Sequence, residues 1–214
     1  MKGYDDSTYG SAFADVYDEW YRGISDIETT IAGLSSLAGD GRVLELGVGT
    51  GRLAIPLAAR LASDDGTATS LVAENRVVGI DSSEAMLAKL GDNDPDRTVT
   101  AVCGDMVTGL PNGPFTLAFV AYNTLFNLRT RELQAGCFEA VAQRLAPGGH
   151  FVVEAFVPDD PPRHGDDISI RSLTTDQVVL SISRHDADQQ SAEGQFVEIT
   201  EAGGVRLRPW AIRY

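Results

Sequence analysis

The sequence predicts a single α/β domain in which helices cover both faces of a doubly wound, mostly parallel sheet, followed by an antiparallel strand meander. Up to about residue 158, short runs that are apolar on both faces alternate with helical patterns, which is typical of parallel strands buried between helices. Beyond that point apolar and polar residues alternate with a period of two, which is typical of half-exposed antiparallel strands.

The elements are predicted in order along the chain. Apolar residues at helical spacing indicate two short helices within residues 1–40. Five strands then follow in RVLELG, NRVVGID, TVTAVCGD, FTLAFVAYN and HFVVEAFV. The helices among them are predicted in RLAIPLAARL, in SSEAMLAKL and from about Arg131 to Leu145. The last four strands are predicted in ISIRSL, QVVLSISRHD, GQFVEIT and VRLRPWAIRY.

We interpret the chain, 1–214, as one domain with a helical N-terminal segment (1–40), an α/β core (41–158) and an antiparallel segment (159–214). Two features interrupt the core. Pro56 lies inside the first crossover helix, where we expect a kink or an early start to the regular helix. The polar stretch between Leu61 and Arg76 predicts a surface insertion.

Composition and charge disfavour several classes of function. The net charge of −14 disfavours nucleic acid as a partner, because such binding depends on clusters of cations. Cys103 and Cys137 lack the spacing of a zinc site, and no metal site is predicted. The sequence contains neither the apolar core of a signal peptide nor a membrane-spanning run, so we expect a cytoplasmic protein that does not bind membranes.

Glycines occupy every second position at the end of VLELGVGTGR, directly after the first predicted strand. Gly47 permits a sharp turn, Gly49 lets the backbone approach a ligand closely, and Gly51 leaves the start of the next helix open. A dinucleotide fingerprint would require glycine where Arg52 stands, and a phosphate-binding P-loop would require G-K-[ST]. The loop fits neither pattern well, and on its own it leaves a purely structural turn open.

Two aspartates follow the next two strands. Asp81 could accept both hydroxyls of a ribose, or it could cap the helix SSEAMLAKL. Asp105 could accept the amino group of an adenine while Met106 and Met86 frame the ring, or it could be an ordinary turn residue. Because the carboxyl ends of neighbouring parallel strands converge on one crevice, we favour an adenosine site.

Taken together, these residues resemble the class I S-adenosylmethionine-dependent methyltransferases. VLELGVGTGRLAIPLA is similar to the first motif of the family, VVGIDSSEAML to its second, CGDM to its adenine motif, FTLAFVAYNTLFNL to its fourth, and LAPGGHFVVEAF to the entry of its fifth strand. The resemblance covers Ala12 to Tyr214 in order. It implies a Rossmann-like fold, S-adenosylmethionine as cofactor and S-adenosylhomocysteine as product.

The resemblance also implies roles for individual residues and segments. Segment 1–40 would close the site as a lid, and segment 159–214 would lie on the substrate side. The implied cofactor-binding residues are Glu45, Gly47, Gly49, Gly51, Asp81, Ser82, Met86, Gly104, Asp105, Met106, Tyr122 and Asn123.

The sequence departs from the family pattern after the antiparallel segment, where another helix and a closing strand hairpin normally follow. Three alternatives stay open: the sheet lacks that hairpin, another chain covers its edge in a homo-oligomer, or the sequence is a truncated form. An uncovered edge strand would favour association.

Few residues are candidates for a catalytic base, namely Tyr17, Tyr21 and His164. An amine acceptor that arrives neutral needs no base, whereas a hydroxyl benefits from one. We expect a methyltransferase acting on an amine or hydroxyl of a small molecule of natural-product type, with nitrogen preferred by resemblance. A non-catalytic or truncated module that binds the cofactor or a partner is an alternative, and an NAD(P)-dependent oxidoreductase is another.

Overall fold

The computed structural model describes residues 1–64 and 75–214. Six α-helices and nine β-strands are described, together with a 3₁₀ turn at Thr124–Asn127. The helices are α1 (Thr8–Phe13), α2 (Tyr17–Trp20), α3 (Ile27–Ala38), α4 (Ala54–Asp64), α5 (Glu84–Asn93) and α6 (Arg131–Ala142). The strands are β1 (Val43–Leu46), β2 (Val77–Asp81), β3 (Val99–Cys103), β4 (Phe115–Val120), β5 (Leu145–Val153), β6 (Gly165–Leu173), β7 (Gln177–Asp186), β8 (Ser191–Thr200) and β9 (Val205–Arg213).

The first five strands form a parallel sheet in the order β3-β2-β1-β4-β5, and the last four form a separate antiparallel sheet in the order β6-β7-β8-β9. The predicted fold class is therefore confirmed. The strand order reverses between β1 and β4, and a crevice opens at the carboxyl ends of strands at such a point.

The parallel sheet is buried on both faces because its strands alternate their apolar side chains between two helical layers. On one face Val43 of β1 packs in a cluster with Leu34 of α3 and Leu57 of α4. On the other face Leu44 packs with Val141 of α6. All four residues of β1 are buried, so the strand that leads into the glycine turn is fixed from both sides.

Side-chain caps define the starts of three helices. Asp26 accepts a hydrogen bond from the backbone N–H of Thr29 at the start of α3. Ser83 caps α5, and Thr130 caps α6 in the same way. In α4 the regular helix begins at Ala54, so Pro56 lies in the first turn, where backbone N–H groups lack partners within the helix in any case.

The sequence expectations need three corrections. Residues 1–40 contain three helices rather than two, because the first helical pattern is broken between Phe13 and Tyr17. The fifth strand begins at Leu145, before the predicted HFVVEAFV, since an irregularity in its pairing with β4 accommodates the residues between Leu145 and His150. The 3₁₀ turn after β4 was not predicted. The predicted insertion between Leu61 and Arg76 falls largely on residues 65–74, outside the described residues.

The N-terminal segment joins the two sheets. Phe13 of α1 is completely buried, and its ring lies edge-on to the rings of Phe196 in β8 and Trp20 in α2, at centroid distances of 5.8 Å and 6.0 Å. Gly10 allows α1 to approach α5, since a Cβ atom at this position would lie 2.3 Å from that of Ser83. Within residues 1–64 and 75–214, no helix has the length and apolar character needed to cross a membrane.

Candidate functional site: a cleft at the carboxyl ends of the parallel strands

The glycine turn between β1 and α4 forms one wall of a cleft. Its three glycines all have left-handed backbones, with φ angles of 67° at Gly47, 56° at Gly49 and 87° at Gly51. A Cβ atom on Gly51 would lie 2.3 Å from Leu90, whereas nothing lies within 4 Å of the same position on Gly49. Packing therefore requires Gly51, and Gly49 is the part of the turn whose backbone is open to a ligand.

The cleft brings together eight of the twelve predicted cofactor-binding residues. These are Gly47, Gly49, Asp81, Ser82, Met86, Gly104, Asp105 and Met106. The candidate base Tyr17 also lines the cleft. Glu45, Gly51, Tyr122 and Asn123 do not line it.

Seven further residues line the cleft, and the sequence analysis did not assign them to the cofactor. Most of them belong to the N-terminal segment or to the unpredicted 3₁₀ turn and its flank. They are Asp6, Tyr9, Gly10, Ile80, Thr124, Asn127 and Leu128. Gly10 carried a signal in the sequence, because a glycine inside a helix often has a packing reason such as the close approach of a second element.

Asp81, at the end of β2, is held in place by the backbone. Its Oδ2 accepts a hydrogen bond from the N–H of Gly49, and its Oδ1 accepts one from the N–H of Ser83, each at 2.9 Å. The helix cap itself is Ser83, whose hydroxyl accepts from Met86. Burial raises the pKa of Asp81, although these backbone donors oppose the shift. Each oxygen keeps a lone pair, so the carboxylate can still accept hydrogen bonds from two hydroxyls.

Asp105, after β3, behaves as a turn residue and also lines the cleft. Its Oδ1 accepts hydrogen bonds from the backbone N–H groups of Val107 and Thr108 and from the Thr108 hydroxyl, at 2.7–3.0 Å. This is the behaviour of a turn residue. All three bonds end on Oδ1, so Oδ2 can serve a ligand in the cleft, beside the apolar side chain of Met106.

Glu45 of β1 is a carboxylate in an apolar strand, only 4% exposed. Its Oε2 is buried without a hydrogen-bond partner among the described residues. Desolvation raises the pKa of Glu45 well above its usual value; the Arg52 guanidinium opposes this shift and Asp81 adds to it. A buried carboxyl oxygen without a partner is costly, and a cationic group of a ligand at the neighbouring glycine turn would offset that cost.

Tyr122 and Asn123, after β4, both have left-handed backbones, with φ angles of 53° and 65°. The Tyr122 N–H donates to Oε2 of Glu154 at 2.9 Å, and Asn123 Oδ1 accepts from the N–H of Phe156 at 2.6 Å. These bonds tie the ends of β4 and β5 together. The two residues therefore shape the turn that precedes Thr124, and their predicted contact with the cofactor stays a prediction.

Tyr9 and Tyr17 of the N-terminal segment line the cleft and belong to a group of tyrosines in mutual contact. The hydroxyls of Tyr9 and Tyr21 lie 2.9 Å apart, and the ring of Tyr21 contacts those of Tyr17 and Tyr122 at centroid distances of 4.7 Å and 5.5 Å. Burial raises the pKa of Tyr9, Tyr17 and Tyr122. These three phenols are therefore neutral near pH 7 and are poor bases.

The third candidate base, His164, lies away from the cleft. It is an exposed residue immediately before β6, and its Nδ1 accepts a hydrogen bond from the N–H of Ala187 at 3.3 Å. No histidine is among the described residues that line the cleft. Groups of three or more His, Cys, Asp or Glu side chains able to hold a metal ion are likewise not found in residues 1–64 and 75–214.

The sheet order, the glycine turn and the carboxylates at successive strand ends are those of a class I methyltransferase. A family model described as a methyltransferase domain matches residues 43–149, half of the chain. The chain therefore belongs to the class I S-adenosylmethionine-dependent methyltransferases, and S-adenosylmethionine is the cofactor of that family.

Individual relatives agree with this assignment. The chain is 31% identical over 172 residues to the cypemycin N-terminal methyltransferase of a Streptomyces species, an alignment that covers 79% of this chain and 64% of that relative. The CcbJ methyltransferase of Streptomyces caelestis is 35% identical, with a TM-score of 0.84 over 99% of this chain and 82% of that one. DesVI of Streptomyces venezuelae, 22% identical, shares the fold with a TM-score of 0.66 over 92% and 81% of the two chains.

Proposed function

We propose that this protein transfers the methyl group of S-adenosylmethionine to the nitrogen of a small-molecule amine. The observation that supports the proposal is a single cleft lined by the carboxylates Asp81 and Asp105 at successive strand ends and by the phenols of Tyr9 and Tyr17. The chain spans 64% of the length of the curated relative named above, so the activity of the whole protein is part of the proposal.

The described residues fit the cofactor. Asp81 would accept hydrogen bonds from the ribose hydroxyls, and Asp105 would accept one from the adenine amino group, with Met86 and Met106 against the ring. The orphaned Oε2 of Glu45 supports a cationic group nearby, which suits the ammonium of the methionine portion. When bound, the cofactor supplies an electrophilic methyl group on a positively charged sulfur.

The acid–base character of the site favours an amine as acceptor. A neutral amine carries its own lone pair and needs no base, whereas a hydroxyl gains from one. The phenols of Tyr9 and Tyr17 line the cleft with pKa values raised by burial, and His164 is remote. Positioning and exclusion of water would then provide the acceleration. The named acceptor of the cypemycin relative, an N-terminal amine, also contains nitrogen.

A second cleft provides a place for the body of the acceptor. Phe156, Trp210 and Tyr214 line it. Phe126 of the 3₁₀ turn contacts the rings of Phe156 and Tyr214, and the same turn contributes Thr124 to the cofactor cleft. The 3₁₀ turn therefore contributes to the first cleft and contacts residues that line the second. Trp210 Nε1 is buried without a partner, so an acceptor with an apolar body and a hydrogen-bond acceptor fits this surface.

Cofactor binding is tested by calorimetric titration with S-adenosylhomocysteine. The wild type should bind, and Asp81→Asn should bind roughly 10- to 100-fold more weakly, because hydrogen bonds to a charged acceptor are lost. Asp92→Asn, an exposed change of the same charge in α5, is the matched control and should bind like the wild type. A folded wild type that does not bind S-adenosylhomocysteine would contradict the proposal.

The acceptor class is tested by release of S-adenosylhomocysteine with pairs of compounds that share an apolar body and differ only in amine or hydroxyl. The amines should be methylated and the matching alcohols should not. Turnover of the alcohols alone would overturn the preference for nitrogen. Cofactor binding without product from any acceptor would favour the non-catalytic alternative.

A further inference from the structure

Trp210 of β9 is a half-buried residue that lines the second cleft. In the strand register it lies opposite Gly194 of β8. A Cβ atom on Gly194 would lie 2.7 Å from Cζ2 and 2.8 Å from Cε2 of Trp210, so the indole occupies the space that a side chain at this position would fill. Gly194 therefore allows the indole to lie across β8.

Aromatic rings line the second cleft from two separate parts of the molecule. Phe156 and Tyr214 line it together with Trp210, and their own rings lie 5.5 Å apart. Both of them contact Phe126 of the 3₁₀ turn, at centroid distances of 5.0 Å and 6.4 Å. The indole of Trp210 instead contacts Phe196 of β8, at 6.3 Å. The cleft is therefore suited to a flat ring, which gains from stacking on aromatic side chains.

Two polar groups of the second cleft are available to a ligand. Nε1 of Trp210 is buried without a hydrogen-bond partner among the described residues. An unpaired buried N–H is costly, and an oxygen atom of a ligand would offset that cost. His185 also lines the cleft; its Nε2 lies 3.1 Å from the hydroxyl oxygen of Ser183, so its Nδ1 remains for a ligand. These groups favour an occupant that carries polar oxygen atoms.

The charged side chains of the second cleft neutralise each other. Asp159 and Arg163 are the only Asp, Glu, Lys or Arg among the described residues that line it. They form an ion pair at 3.0 Å, with side chains that are 65% and 66% exposed. The pair therefore belongs to the solvated rim, and it leaves no counter-ion for a charged group bound beside Trp210. This favours an uncharged occupant.

We propose that the second cleft binds a flat, uncharged ring of the methyl acceptor, which stacks on the indole of Trp210 and carries an oxygen that accepts a hydrogen bond. The inference rests on the proposed methyl transfer, because the ring is assigned to the acceptor. The 3₁₀ turn connects the two sites: Thr124 lines the cofactor cleft, and Phe126 contacts the rings of Phe156 and Tyr214. The amine of the same molecule would lie on the Thr124 side of this turn.

Ring binding is tested on the protein without cofactor, using two probes. Benzamide has a flat ring and a carbonyl oxygen, and cyclohexanecarboxamide has the same heavy atoms in a puckered ring. Trp20 and Trp210 are the only tryptophans of the chain, so tryptophan fluorescence follows the titration with benzamide, and displacement of benzamide measures the second probe. Benzamide should bind roughly 3- to 10-fold more tightly, because only a flat ring stacks fully on an indole. Equal affinities would overturn the proposal.

Two variants locate the binding site. Trp20→Phe is the matched control, since Trp20 does not line the second cleft; it leaves Trp210 as the reporter and should keep the fluorescence response. Trp210→Leu should bind benzamide roughly 10-fold more weakly, measured from the ligand's own NMR signals. Circular dichroism shows whether each variant is folded, and the comparison of the two probes on the wild type does not depend on any variant. A response lost in Trp20→Phe, or benzamide binding undiminished in Trp210→Leu, would overturn the proposal.

Titration of the wild type with S-adenosylhomocysteine separates this inference from the proposed function. A protein that binds S-adenosylhomocysteine but not benzamide would overturn the ring site alone. A protein that binds benzamide at Trp210 but not S-adenosylhomocysteine would support the ring site and contradict the proposed methyl transfer.

Discussion

Glu45 and Asp81 are carboxylates on neighbouring strands, and their surroundings differ. Both oxygens of Asp81 accept backbone hydrogen bonds, whereas Oε2 of Glu45 is buried without a partner. The free protein therefore carries an unfavourable group beside the glycine turn. Such costs are tolerated where a ligand later supplies the missing interaction.

Replacement of Glu45 by Gln should stabilise the protein while weakening ligand binding. Folding raises the pKa of this carboxyl above its usual 4.5, so the folded chain holds a proton that the unfolded chain releases as pH rises. Wild-type stability therefore declines above that pH, and Glu45→Gln removes the decline. Urea unfolding should show the variant more stable by roughly 1–3 kcal/mol at pH 7, with the difference shrinking toward pH 4.5.

The same variant should bind S-adenosylhomocysteine about 10-fold more weakly, because an amide, unlike the Glu45 carboxyl, cannot release a proton and become an anionic partner for the ligand ammonium. Glu28→Gln, an exposed change in α3, is the control and should alter neither property. A Glu45→Gln protein that is less stable than wild type at every pH would show that Oε2 of Glu45 has a partner in the free protein.

The hydroxyl pair of Tyr9 and Tyr21 can be examined by a double-mutant cycle. Each single change, Tyr9→Phe or Tyr21→Phe, leaves the other buried hydroxyl without its partner at 2.9 Å, and should cost about 1–2 kcal/mol of unfolding free energy. The double variant should cost little more than either single one, because no hydroxyl is then orphaned. Fully additive costs would mean that the two hydroxyls do not interact.

At the scale of elements, the strands were predictable because the burial of each strand produces a short-range pattern of apolar and polar residues. The apolar run VLEL and the alternation in QVVLSISRHD place β1 and β7 correctly. Most of the candidate site was predictable because its residues end a strand or directly follow one, as Asp81 and Asp105 do. Tyr9 and Thr124 could not be assigned in this way, because their place in the cleft depends on how α1 and the 3₁₀ turn dock, which is long-range packing.

The burial of Arg208 is a second feature that depends on long-range packing and that the sequence pattern does not predict. Period-two alternation puts Arg206 and Arg208 on one face of β9 without distinguishing them, yet Arg208 is 1% exposed and Arg206 is exposed. The difference lies in the partners. Arg208 donates to Asp15 at 2.6 Å, to Glu198 at 2.8 Å and to the carbonyl of Ala12, so it fastens the N-terminal segment to the antiparallel sheet.

Arg208→Met should therefore destabilise the protein by roughly 3–5 kcal/mol, because it leaves Glu198 partly buried without its cation and frees the end of α1. Arg206→Met is a matched control on the same strand. Arg206 also pairs with Asp15 but is exposed, and its removal should cost less than about 1 kcal/mol. Thermal and urea unfolding of both variants would measure the contrast, and equal effects would contradict this account of the attachment.

At the scale of the whole molecule, two sheets with different chemistry share one N-terminal segment. The parallel sheet is enclosed by helices and ends in the cleft. The antiparallel sheet packs the face that carries Phe196 and Arg208 against the N-terminal segment. The N-terminal segment therefore contacts the antiparallel sheet through Phe13 and Trp20 and lines the cleft through Tyr9 and Tyr17.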